Sequence, residues 1–560
     1  MIRPGRAVFA CIAFAGLIAL GPAARALDQV QQAEQQGVRI ELHTAQTAEA
    51  TLQVALELRD ATAGTGLSGL RPAAWLVSRD PSEASAERDA AGSEHSICRH
   101  KARSLLGGSL FARPELDLNG YEVLVLNEDA SLSAVEPNFG FGGARELAHI
   151  ELPAPAFDWV LDRQQRRVYL SLPGAAQLAR LDLQDWSLET VELGKRRTGA
   201  LLLDADERHL WVAVDGGVVA LHAATLEVRA QIETHPAELG PPTELLSSTD
   251  GRRLIVGHRE SRMLVLIDGL SRRLQRRIEL DTPPLSAAFS ALAQRFYLTL
   301  AAGSGVGDGM LVSISARPPH PVMRVPSLPG PGLIRFAGEG RYGLVVHPQQ
   351  QRLSILDSAQ DQIVQSARLD GQPDQIAFSD ELAYLRLRDR SQLLMVPLAA
   401  IGQAGQPIPT FDTVGGDRGF VDGFRSVVAA GLAAVPSGGA MLIANPGDRA
   451  VYFYKEGLAA PMGQFGTSDR SARAVLAIDR SLREREAAGR YETVAKPPAA
   501  GEYELVLFVN APRIVQCFPV RIEGGSPAAE RAAHRSPRSA RTSTAAASIA
   551  SARPPAPESP

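Results

Sequence analysis

Between Tyr121 and Lys455 the apolar positions fall into short runs that alternate with polar ones at period two, the spacing of half-buried strands. One phrase keeps returning just after turns rich in Asp, Gly and Arg: "YEVLVL", "RRVYLSL", "RHLWVAV", "RRLIVGH", "QRFYLTL", "RYGLVVH", "ELAYLRL" and "GAMLIAN". The phrases centre on Val123, Tyr169, Trp211, Ile255, Tyr297, Leu344, Tyr384 and Leu442, in steps of 46, 42, 44, 42, 47, 40 and 58 residues. After "RRVYLSL" come a turn with Gly174, the alternating run "QLARLDL", a polar "QDW", the run "LETVEL" and then "GALLLDADE", which leads into the next phrase. Four short strands per period, with no sustained 3.6-residue apolar stripe, predict the blades of a β-propeller, each burying its faces against its neighbours in a ring. Eight phrases favour eight blades, and the long last step keeps seven open.

The flanks also alternate. "GVRIELHT", "TLQVALELRDA" and "RPAAWLV" precede the repeats, and "RAVLAID", "GRYETVA", "GEYELVLFVN" and "RIVQCFPVRIE" follow them. Each set is too small for its own core, so the two are expected to form one immunoglobulin-like sandwich into which the propeller is inserted, or else two capping sheets. The expected layout is an all-β chain: a sandwich half at 27–112, the propeller at 113–458, the second half at 459–525 and a disordered tail at 526–560. That tail of Ser, Ala, Pro and Arg has hardly any large apolar residue with which to offset ordering entropy.

Met1–Ala26 reads as an export signal, with Arg3 and Arg6 before a short apolar run and Ala24-Arg25-Ala26 as the cleavage site. The expectation is a periplasmic or secreted protein with no membrane insertion after cleavage. Net charge is −4 over 560 residues, but both ends are basic, which leaves the body between them at −10. An acidic body argues against nucleic acid as a partner.

Export leaves Cys98 and Cys517 in an oxidising compartment, on opposite sides of the repeat array, and a disulfide between them would join the two sandwich halves. Buried thiols or metal ligands are the alternatives. "EHSICRHK" puts His95, Cys98 and His100 within six residues, donors that suit copper or zinc, with Cys517 as a further ligand. His258 and His347 end second strands and face toward a central channel, and Met462 offers a soft donor. Asp308 among glycines, and the aromatic stretches Asn138–Gly143 and Phe157–Asp162, are further places where a cation or pocket would fit. No haem-attachment run, Walker loop, zinc-protease motif or nucleophile elbow occurs, so no catalytic residue is assigned.

The phrases "LRPAAWLV", "NGYEVLVLNEDASLSAVEP", "FGFGGARELA", "PDQIAFSDELAYLR", "ANPGDRAVYFYKEGLAAPMGQF" and "PRIVQCFPV" resemble a group of exported YVTN-type propellers described as cytochrome-D1-domain-containing, whose activity is not settled. The resemblance implies a propeller fold and, more distantly, the haem-binding propeller of d1-type nitrite reductases. Members of the group carry methionine where Lys455 and Leu458 stand and histidine where Gln516 stands. The favoured reading is therefore a non-enzymatic binding or scaffold protein for a partner protein or small ligand, with no cofactor. The rival is a redox or metal-handling protein with haem in the channel or copper near the cysteines.

Overall fold

In the computed structural model, strands such as Val38–Gln46 and Leu52–Asp60 alternate buried and more exposed side chains, whereas the central strands of the repeats are buried almost throughout. The structure describes residues 27–46, 52–79, 94–106, 114–138, 143–162, 166–301, 309–388, 390–413, 429–436, 438–484, 487–495 and 499–523. The expected signal 1–26 and tail 526–560, the loop holding Asp308, the centre of the Asn138–Gly143 stretch and the side chain of His95 lie outside the described residues. The chain divides into two units, Tyr121–Asp479 and the residues on either side of it.

In the Tyr121–Asp479 unit all eight repeated phrases become the second strands of four-stranded antiparallel sheets. Numbered by those strands, sheets 1 to 8 hold Tyr121–Asn127, Arg167–Leu172, His209–Val214, Arg253–Gly257, Arg295–Leu300, Tyr342–His347, Leu382–Leu387 and Ala440–Asn445. The eight central residues are at most 2% exposed. They form the contact between successive sheets. Tyr169 shares a buried cluster with Leu210 and Val212 of sheet 3, Trp211 with Leu254 and Val256 of sheet 4, and Tyr384 with Met441 and Ile443 of sheet 8. Two of these tyrosines also donate across the gap, Tyr169 to the carbonyl of Ala223 at 2.9 Å and Tyr297 to Asp361 Oδ1 at 2.5 Å.

Sheet 1 takes its first strand, Ala472–Asp479, from the far end of the unit, pairing Ala477 with Val123 and Asp479 with Tyr121. "RAVLAID" therefore belongs to the ring and not to the C-terminal sandwich half. The physical reason is that pairing the two ends of the array leaves neither with an open edge. The expected boundary at residue 458 likewise falls inside sheet 8, whose fourth strand is Gly463–Gly466.

The other unit contains two sheets, and both mix strands from the two chain ends. Leu27–Gln35, Val38–Gln46 and Leu52–Asp60 continue into Arg490–Ala495 and Arg483–Glu484, while Ile514–Ile522 and Gly501–Val509 continue into Ala73–Ser78 and Leu116–Asp117. Ile40, Leu42 and Leu56 of the first sheet meet Leu76, Leu505 and Phe518 of the second in one buried core. The strand Leu27–Gln35 is too polar to be read from periodicity. It sits at an edge, where Gln29 Nε2 donates to the carbonyl of Arg521 at 2.8 Å. A helix, Glu94–Leu106, carries Cys98, which is bonded to Cys517 with the two Cα atoms 5.8 Å apart.

Candidate functional site

Of the expected metal donors, Cys98 and Cys517 hold each other as a disulfide, so neither presents a thiolate, and His100 is exposed on the helix. Three of the buried imidazoles are engaged through both ring nitrogens or their neighbouring backbone. His347 lies 3.2 Å through Nδ1 from the carbonyl of Pro329 and 3.0 Å through Nε2 from Ser354 Oγ. His235 contacts Thr234 Oγ1 at 2.8 Å and the carbonyl of Met263 at 2.9 Å. His258 Nδ1 accepts from the backbone N–H of Glu260 at 3.1 Å, and its other nitrogen bonds to the backbone of Leu239. Burial pushes all three below the usual histidine range, which keeps them neutral. These three imidazoles and the two sulfurs therefore do not fit an axial haem ligand or a copper thiolate site.

A grouping that sequence reasoning passed over is Asp204, Asp206 and His209, whose donor atoms lie within 4.8 Å of one another. Both nitrogens of His209 are engaged there as well, Nδ1 with Asp204 Oδ2 at 2.8 Å and Nε2 with the Arg272 guanidinium at 3.1 Å. The contact with Arg272, from the turn between the third and fourth strands of sheet 4, links sheet 3 to sheet 4.

The first strands of the sheets gather polar side chains at the ring's axis, and most of these bind the next sheet. Asp158, buried at the start of "DWVL", accepts from the backbone N–H of Leu201 at 2.8 Å. Glu244 bonds the backbone of Ala287, and Gln375 Oε1 accepts from Gly431 N at 3.0 Å. Burial raises the Asp158 carboxyl to about 7 against the pull of its two backbone donors, Leu201 and Trp159. It raises Glu244 to about 7 as well, opposed by Arg259 and Arg335. The aromatic stretch at Phe157–Asp162 serves packing, with Trp159 8% exposed in the core shared by sheets 1 and 2.

A cavity of about 730 Å³ in this unit lies between sheets 7 and 8. Asp380 and Glu381 come from the turn before Leu382–Leu387, Met395 from the third strand of sheet 7, Phe411 from its fourth strand, and Glu456 and Leu458 from the turn after Ala450–Lys455. The Glu456 carboxylate accepts from Ser379 Oγ and, at 3.1 Å, from the backbone N–H of Glu381, which fixes the two turns together. Burial, with Glu456 adding to it, pushes the nearby Tyr384 hydroxyl up to about 12. Phe411 is 52% and Leu458 43% exposed, although both are large and apolar. Among the described residues, no Lys, Arg or His nitrogen lies within 4 Å of the carboxylates of Asp380, Glu381 or Glu456. The sequence hid this site because its residues come from two phrases some 75 positions apart, brought together by the contacts of Glu456 with Ser379 and Glu381.

No protein-family model matches the chain, and no curated protein matches it. Solved structures do. The dihydro-heme d1 dehydrogenase NirN, solved in complex with DHE, is 15% identical over 66% of this chain and 78% of its own, with a TM-score of 0.50. AztD from Citrobacter koseri is 11% identical over 66% of this chain and all of its own, with a TM-score of 0.49. The periplasmic gluconolactonase PpgL from Pseudomonas aeruginosa is 16% identical over 52% of this chain, with a TM-score of 0.38. At such identities the likeness is one of fold. The repeated four-stranded sheets and the closing strand make the Tyr121–Asp479 unit a β-propeller. Its fold is like that of the NirN structure, as the resemblance in the sequence implies.

Proposed function

We propose that this protein is an exported binding or scaffold protein: an eight-bladed propeller inserted in sequence between the halves of an immunoglobulin-like sandwich, with residues 1–26 as a removable signal. The cavity between sheets 7 and 8 captures a segment of a partner protein in which a Lys or Arg adjoins an apolar side chain. The observation that carries this reading is the pairing of three carboxylates, which have no counter-cation among the described residues, with the exposed faces of Phe411 and Leu458. Soluble proteins seldom leave large aromatic surface next to unneutralised acids unless something covers it. Charge complementarity selects a cationic segment, and the apolar floor supplies area for an anchor.

The test is peptide selection on the purified mature protein from a random library, with binding then measured to an Asp380→Lys, Phe411→Ala variant. Enriched peptides should combine Lys or Arg with Leu or Phe and lose at least about tenfold in affinity on the variant, the cost of one anchor. Peptides without that composition, or with equal affinity for the variant, would remove this cavity as the recognition site.

A further inference from the structure

The two-sheet unit contains a cavity of about 300 Å³ walled by three arginines from two elements. Arg99 and Arg103 stand four residues apart on the helix Glu94–Leu106, hence on one face of it. Arg513 comes from the turn joining Gly501–Val509 to Ile514–Ile522, and Gln35 and Gln36 from the turn after Leu27–Gln35. The floor is apolar, made of Ala102, Phe508 and Val515. These are the same side chains that pack around Cys98 and Cys517.

None of the three guanidiniums has an acidic partner within 4 Å among the described residues. The acid nearest the helix in role, Glu504, is occupied by Lys101 at 2.9 Å. The negative end of the helix dipole accounts for one cation in the last turn, Arg103. It does not account for Arg99 or Arg513, which line the same cavity. Holding three cations together costs free energy that an anion would return, and guanidinium forks match the planar oxygens of carboxylates and phosphates.

From this geometry we infer that the cavity is a binding site for a small organic anion, a carboxylate or phosphate head on a compact apolar or aromatic body. The head sits between Arg99, Arg103 and Arg513, and the body lies on Phe508 and Val515. The helix that carries two of the three cations is fastened to the sheet by the disulfide and by the Lys101–Glu504 pair, so the site is assembled before any ligand arrives.

Isothermal titration of the whole mature protein with phenyl phosphate, benzoate, inorganic phosphate and benzyl alcohol tests this. Phenyl phosphate and benzoate should bind with a stoichiometry of one, inorganic phosphate more weakly, and benzyl alcohol not at all. Arg99→Ala and Arg513→Ala should each weaken phenyl phosphate by about tenfold or more, the loss of one charge-assisted contact. Both variants change exposed side chains, and an unaltered melting temperature checks that they fold. Arg521→Ala, on the same sheet but away from the cavity, should leave the affinity unchanged. Equal affinity of the wild type and both arginine variants would overturn the site. So would an absence of binding by the soluble anions, including the case in which the protein associates only with phosphatidylglycerol vesicles, since that would make the arginines a surface for lipid.

Discussion

At the scale of single residues, the ring is held by side chains whose partners lie one repeat away. Asp158 accepts from Leu201 N, 43 positions on. Between about pH 4 and 7 the folded chain keeps a proton on Asp158 that the unfolded chain has already released, because burial raises this carboxyl to about 7. This group therefore stabilises the fold progressively as pH falls through that window. Asp158→Asn cannot titrate, so the advantage of the wild type over the variant should be larger at pH 5 than at pH 8, by on the order of 2 kcal/mol in denaturant melts. A pH-independent difference would mean that the carboxylate stays ionised. Ala176 tests the backbone in the same way. It closes a short 3-10 turn at φ +53°, a conformation that disfavours any Cβ. Ala176→Gly should raise stability by about 0.5–1 kcal/mol, read as a higher melting midpoint. Neither role was legible in the sequence, since an acid or alanine beside a strand looks the same whether or not a backbone N–H from the next repeat faces it.

Whole elements were far more legible. Every repeated phrase is a second strand, because that strand is covered on both faces and its apolar run is nearly unbroken. Turns recur with the same clarity: Trp186, Leu226, Arg272 and Asp361 each take a positive φ between the third and fourth strands of sheets 2, 3, 4 and 6. What the pattern could not give was the helix Glu94–Leu106, a short and strongly charged segment whose inward residues, Cys98 and Ala102, form a narrow stripe. It could not give Leu27–Gln35 either, whose glutamines bond to a neighbouring backbone instead of entering a core. The strand contacts predict a large penalty at Trp211, which is 1% exposed between sheets 3 and 4. Trp211→Ala should cost about 3–5 kcal/mol, while Leu270→Ala, at a position 65% exposed, should be nearly neutral. Comparable losses in the two would mean that the sheets do not meet through these side chains.

At the scale of the molecule, pairing between distant parts of the chain was only half readable. Odd cysteine placement pointed to Cys98 and Cys517, but the exchange of "RAVLAID" into sheet 1 follows from ring closure and has no local signature. The disulfide closes a span of 419 residues. Replacing both cysteines by alanine should destabilise the two-sheet unit by about 3–5 kcal/mol, through the restored freedom of the unfolded chain. Peptide mapping without reduction should recover one crosslinked pair from the native protein, and two free thiols there would remove the basis of that prediction.

The closing strand and the mixed sheets also set an order of events during synthesis. Leu52–Asp60 pairs with Arg490–Ala495, and Tyr121–Asn127 pairs with Ala472–Asp479. The earliest strands to leave the ribosome must therefore wait, with open edges, for partners made more than 300 residues later. A chain stopped before Ala472 lacks the ring's last strand and two strands from each sheet of the other unit, so neither unit can reach its native form until almost the whole polypeptide has been made. For such a protein, protection of the waiting edges while the rest of the chain is made is a condition of folding at all.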